Sequence, residues 1–185
     1  MAADKQRLLA GEPYLAGATD LVADRRHARL LTERLNATSA AEPEQRQAVL
    51  TELLAGLGEQ TEILSPFACD YGYQISVGAR TFINFGAVIL DSAPVSIGDD
   101  VQIGPGVQLV TPTHPLDAAE RRTGVEWGTP ITIENDAWLA TGVIVCPGVT
   151  IGAGCVIGAG SVVTKDMPAG HLCFGNPCRP VRAIS

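Results

Sequence analysis

This chain is short of cations, of long apolar runs, of paired cysteines and of histidine. Of 185 residues, 13 are Lys or Arg and 20 are Asp or Glu, a formal net charge of −7. That balance argues against nucleic acid or an anionic membrane as partner. No apolar run reaches the ~20 residues that cross a bilayer, and the opening MAADKQRLLAG has no signal-peptide core. The five cysteines are odd in number and form no C-x-x-C pair, so a reduced, cytoplasmic protein is expected. Three histidines leave few ways to build a histidine metal site, and none is expected.

What is abundant is a period of six. Val77, Ile83 and Ile89 are six apart, as are Ile97, Ile103 and Leu109. Ile133, Leu139, Val145, Ile151, Ile157 and Val163 extend the series, and small residues such as Gly98, Gly104, Gly152 and Gly158 often follow. A short fixed period marks a repeat architecture, whose units bury their apolar side chains only by stacking. Six residues suit a strand and a corner. Three such units close a triangle, so the spacing predicts four three-sided coils: 77/83/89, 97/103/109, 133/139/145 and 151/157/163.

Residues 1–60 differ. They are rich in Ala, Leu, Glu and Arg, and the stripe Leu21, Ala28, Leu31 and Leu35 predicts a helix from Asp20, as its cap, to about Asn36. Ser39 and Glu42 form a capping-box pattern, with Pro43 in the first turn and Gly56 near the stop. The expected division is a helical cap over 1–60 and a solenoid with a C-terminal tail over 61–185.

The step from Leu109 to Ile133 breaks the period. Its in-phase positions are Pro115, Arg121 and Trp127, poor core material, so about 111–130 reads as a loop thrown out from a corner. Long loops in compact solenoids build the binding face. This one carries His114 between Pro112 and Pro115, a side chain suited to accept a proton near neutral pH. His27 lies among arginines and His171 in a turn, where solvated or structural roles suffice. The last 59 residues hold only three cations, Lys165, Arg179 and Arg182, which could meet an anionic ligand.

The hexad pattern resembles the left-handed parallel β-helix of hexapeptide acyltransferases, and more specific motifs narrow the resemblance. Phe67-Ala68-Cys69-Asp70-Tyr71-Gly72-Tyr73, Asn84-Phe85, Thr113-His114-Pro115, Pro147-Gly148-Val149-Thr150-Ile151-Gly152, Val163-Thr164-Lys165-Asp166 and Gly175-Asn176-Pro177-Cys178-Arg179 resemble the maltose and galactoside O-acetyltransferases. Ala10-Gly11-Glu12-Pro13-Tyr14 and Asp24-Arg25 resemble that family's N-terminal cap.

The resemblance implies a mainly β fold: a left-handed parallel β-helix with an α-helical cap and one extended loop. It also implies a homotrimer with active sites between subunits, a sugar acceptor, acetyl-CoA as co-substrate and no metal. His114 would be the general base. Asp70, Phe82, Asn84, Asp91, Glu126 and Trp127 would face the acceptor, with Trp127 stacking on a sugar ring. Asn84, Trp138, Thr141, Ala159, Thr164, Lys165, Arg179 and Arg182 would face the donor, with a backbone N–H near Thr141 as oxyanion donor.

Three positions depart from the family pattern. Ala140 stands where glycine is usual, Ala16 where some galactoside enzymes carry an acid, and Phe82 where they carry tyrosine. Serine or antibiotic acetylation and a non-catalytic scaffold are the alternatives. A zinc hydratase needs three convergent histidines, which this chain does not have.

Overall fold

The computed structural model describes residues 3–184. Three faces of parallel strands stack into a triangular prism, and the chain visits them in the order one, two, three. Face one joins the strands at 56–57, 75–77, 95–97, 131–133 and 150–151. Face two joins 62–63, 82–83, 102–103, 138–139 and 156–157, and face three joins 67–69, 87–90, 108–110, 144–145 and 162–163. The strands are two to four residues long, too short to stand alone.

The register turns the period of six into three buried columns. Val77, Ile97, Ile133 and Ile151 pair in sequence on face one. Ile83, Ile103, Leu139 and Ile157 do so on face two, and Ile89, Leu109, Val145 and Val163 on face three. Every one of these side chains is buried. The four expected coils are present, and a fifth precedes them, with Leu57 paired to Val77, Ile63 to Ile83 and Cys69 to Ile89. A partial sixth follows, in which Met167 bridges to Ile151 and Cys173 pairs with Ile157. The β pattern therefore begins at Gly56, a few residues before the expected boundary at 61.

The N-terminal segment supplies helices α1 (Ala3–Leu9), α2 (Thr19–Ala37) and α3 (Pro43–Leu53). The predicted stripe Leu21, Ala28, Leu31 and Leu35 is the buried side of α2, and Val49, Leu50 and Leu53 are that of α3. Polar ties fix the helices to the first coil. Asn36 exchanges two 2.9 Å hydrogen bonds with the backbone of Phe67, and Arg46 donates to the carbonyls of Leu35 and Ile63.

Three details of the helix ends differ from expectation. The N-cap of α2 is Ala18, so Asp20 lies in the first turn. The N-cap of α3 is Glu42, whose carboxylate accepts from the Ser39 N–H, while the Ser39 hydroxyl accepts from Ala41. A proline at N1 contributes no N–H there, so the turn before it takes up these side chains. Gly56 does not stop the helix, which ends at Leu53; it opens the first strand.

The loop is folded as well. Pro112–Thr113 and Val125–Gly128 form an antiparallel pair, and Tyr14–Leu15 adds a third strand to it. Between them lies α4 (Ala118–Arg121), with Asp117 accepting from the Glu120 N–H at 2.8 Å. The excursion leaves the corner between faces three and one and rejoins the next coil in register, Leu109 beside Val145.

Leu139 is fully buried in the face-two column. Leu139→Ala should cost about 2–5 kcal/mol in denaturant unfolding. The outward Ser76→Ala on face one should stay within about 0.5 kcal/mol.

Candidate functional site

Two clusters of the expected residues form, on different edges of the prism. The first gathers at the edge between faces three and one. Thr113 pairs with Trp127 across the loop's two strands, which brings His114 and Glu126 together. His114 Nδ1 lies 3.6 Å from Glu126 Oε2, with the imidazole 53% and the carboxylate 13% exposed. Tyr14 donates to Glu126 Oε1 at 2.6 Å.

Asp70 belongs to the same edge. Burial pushes its carboxyl above the usual range, Arg25 opposes the rise, and the Glu126 carboxylate adds to it. Arg25 also donates to the Tyr71 hydroxyl and to the Ala16 carbonyl, both at 2.6 Å. Asp70, Glu126 and His114 thus share one polar corner, roofed by the Tyr14–Leu15 arm.

Asp91 does not face an acceptor. It is fully buried, and its carboxylate accepts from the backbone N–H of Asp70 at 3.2 Å, Tyr71 at 2.8 Å and Gln74 at 3.3 Å. It is the brace that shapes the Asp70 turn, because a carboxylate offers enough lone pairs for three converging donors. Ser92, the next residue, sits beside the Tyr14 hydroxyl. It is the neighbour that reaches the corner.

The second cluster is a shallow groove of about 250 Å³ on face two and its edge with face three, lined among others by Phe82, Asn84, Gln102, Gly104, Trp138 and Thr141. Trp138 is 51% exposed and lies beside Gln102 and Val156 on the outer surface. Thr141 and Ala159 occupy successive corners, linked by the bond from Gly160 N–H to the Thr141 carbonyl. Coils are tight here: a Cβ on Gly104 would lie 2.8 Å from the Ala140 carbonyl carbon and the Thr141 nitrogen.

Arg179 and Arg182 are exposed on the hairpin His171–Gly175/Cys178–Ala183, which extends face two beyond Val156–Ile157. Thr164 and Lys165 follow the strand Val162–Val163, across face three from Ala159. One chain therefore separates His114 from the groove by the width of face three. No group of three or more His, Cys, Asp or Glu side chains among the described residues could hold a metal ion. No helix among those residues is long and apolar enough to cross a membrane.

Family models match in both halves. Residues 7–58 match the maltose acetyltransferase hexapeptide capping motif, and residues 130–165 match six repeats of the bacterial transferase hexapeptide. Nodulation protein L of Rhizobium meliloti (strain 1021) is 45% identical over 175 residues, covering 95% of this chain and 96% of the relative. The crystal structure of a maltose O-acetyltransferase from Clostridium difficile 630 superposes with a TM-score of 0.97 at 41% identity, over 100% of this chain and 98% of that one. A galactoside acetyltransferase in complex with coenzyme A gives 0.94 at 36% identity, over 100% and 92%. The chain belongs to the maltose/galactoside O-acetyltransferase family.

For a member of this family, the residues that sequence reasoning left without a role are Tyr14, Arg25 and Ser92. Tyr14 meets Glu126 across 112 residues of chain, and no local pattern reports such a pairing. Ser92 is adjacent to the residue that was expected there.

The brace makes a pH prediction. Burial, offset by the Tyr71 and Gln74 N–H groups, pushes the Asp91 carboxyl up from 3.8 to about 6. The folded chain holds this proton more tightly than the unfolded one. The contribution is full below about pH 3.8 and is lost as pH rises through about 6. Asp91→Asn should remove that pH-dependent component from a stability profile. It should also cost about 1–3 kcal/mol at neutral pH, because its amide NH2 turns a donor toward a backbone donor.

Proposed function

We propose that this chain transfers an acetyl group from acetyl-CoA to a hydroxyl of a carbohydrate, with His114 as general base, in sites shared between subunits of a homotrimer. The observation that carries the reading is the split of the two clusters. A base with an acidic neighbour lies on one edge and a Trp-lined groove on another, and each lacks what the other has.

Face three, between those edges, supports the assembly. Its outward side chains include Val88, Leu90, Val110, Ile144 and Val162, half-buried in the single chain. The corresponding row on face one is Ser76, Ser96, Thr132 and Thr150. An apolar sheet face of this length beside a hydroxylated one suits contact between copies. Rotation about an axis along face three would bring the His114 edge of one subunit to the groove edge of the next, a heterologous contact that closes into a ring.

In such a site the His114 Nε2 takes the proton of an acceptor hydroxyl as its oxygen attacks the thioester carbon. A tetrahedral oxyanion forms and collapses, the carbon–sulfur bond breaks, and the imidazolium returns the proton to the departing sulfur. The Thr141 N–H makes no hydrogen bond among the described residues, which suits it to the oxyanion. Arg179, Arg182 and Lys165 supply the charge that a phosphate-bearing donor needs. Asp70 suits sugar hydroxyls, and Trp127 offers an apolar ring face to a sugar. Five free cysteines fit a reducing compartment.

CoA thiol release should require a sugar acceptor, and His114→Ala should lower kcat/KM by about 10²–10⁴-fold. Release with serine or an antibiotic in place of every sugar tested would overturn the acceptor class. Full activity of the alanine variant would overturn the base.

A further inference from the structure

Glu126 belongs to the loop, yet its contacts are made to the base and to the N-terminal arm. One carboxylate oxygen accepts from the Tyr14 hydroxyl at 2.6 Å and the other lies 3.6 Å from His114 Nδ1. The pairing of Tyr14 with Glu126 in the arm-to-loop sheet aligns their backbones. The carboxylate is 13% exposed, so water screens it little. Burial and that carboxylate push the Tyr14 hydroxyl well up, leaving it a hydrogen-bond donor throughout the working range.

We propose that Glu126 and Tyr14 are positioning residues for His114: the tyrosine locks the carboxylate, and the carboxylate turns Nδ1 inward so that Nε2 faces the acceptor. The inference rests on the reading of His114 as base. Its consequence is that the N-terminal arm, distant in sequence, completes the catalytic geometry. With Nδ1–H directed at the carboxylate, the proton-accepting lone pair is confined to Nε2, and the developing imidazolium is stabilised where it forms.

Other groups around the pair are accounted for. Asp70 and Tyr71 lie beside Glu126 from the neighbouring corner. Arg25 and Arg29 of α2 act on Asp70. Arg121 of α4 donates to the carbonyls of Pro115 and Leu116 and is tied to the loop backbone. Glu126 is the acid within ion-pair distance of the imidazole.

The test is the tautomer of the neutral His114 imidazole, read from its ring-nitrogen NMR shifts in the intact protein, alongside kcat and KM, for Glu126→Gln and Tyr14→Phe. In the unaltered protein the ring proton should sit on Nδ1 and leave Nε2 free, because the partner of one ring nitrogen sets which nitrogen carries the proton. Glu126→Gln, which can still accept from Tyr14, should lose that preference and lower kcat by about 10-fold or more, with the acetyl-CoA KM little changed. Tyr14→Phe should produce a smaller loss in kcat with the acetyl-CoA KM little changed. An unchanged tautomer in Glu126→Gln, with only the acceptor KM raised, would overturn the proposal in favour of direct acceptor contact. A changed tautomer without any effect of His114→Ala on turnover would instead remove the base assignment and leave the pairing intact.

Discussion

The outward-facing groups of the coils are held by the inward stacking of apolar side chains from successive strands. Strands of two to four residues have no stability of their own, so each coil exists because Ile, Leu or Val from the coils above and below meets it at the same height. The columns through Ile103 and Leu139, Ile97 and Ile133, and Leu109 and Val145 leave little tolerance for a shift of register. That stiffness makes the outer surface a fixed scale on which Trp138, Thr141 and Ala159 keep constant spacing. Preorganised donors and binding surfaces stabilise a transition state without reorganising at the moment of reaction.

The rigid prism alone cannot form the corner that holds His114. His114 stands on an excursion away from the coils, and its placement depends on β-pairing with Tyr14–Leu15 from the far N-terminus. The helical cap covers the open end of the solenoid, as a terminal repeat must. It also contributes the third strand that orders the loop. Asp91 performs the matching task on the opposite side of that corner by gathering three N–H groups beneath the Asp70 turn.

The coils from Val77 to Val163 were legible because an inward position has no substitute for a bulky apolar residue. The coil before them was less so: Gly56, Glu62 and the half-buried Cys69 blur its period, and α3 runs almost directly into it. The loop was legible as an interruption but not as a sheet, since Pro112–Thr113, Val125–Gly128 and Tyr14–Leu15 have no regular alternation. Asp91 was misassigned for a related reason. Residue type shows that a carboxylate is present, while only the fold shows that backbone donors occupy it. Phe82, expected beside Asp70 and Trp127, lines the groove with Asn84, Trp138 and Thr141 instead, because these positions share one face of the repeat and its corner.

The central claim is that one subunit supplies the base and its neighbour the donor groove. Its most direct test is subunit complementation between His114→Ala and a groove variant, Asn84→Ala with Trp138→Ala, each inactive alone. The two would be unfolded together and refolded as a mixture. Random assembly into closed rings would restore intact pairings at about a quarter of the sites, and with them about that fraction of wild-type turnover. Mixed assemblies no more active than the separate variants would contradict a shared site and place base and groove within a single chain.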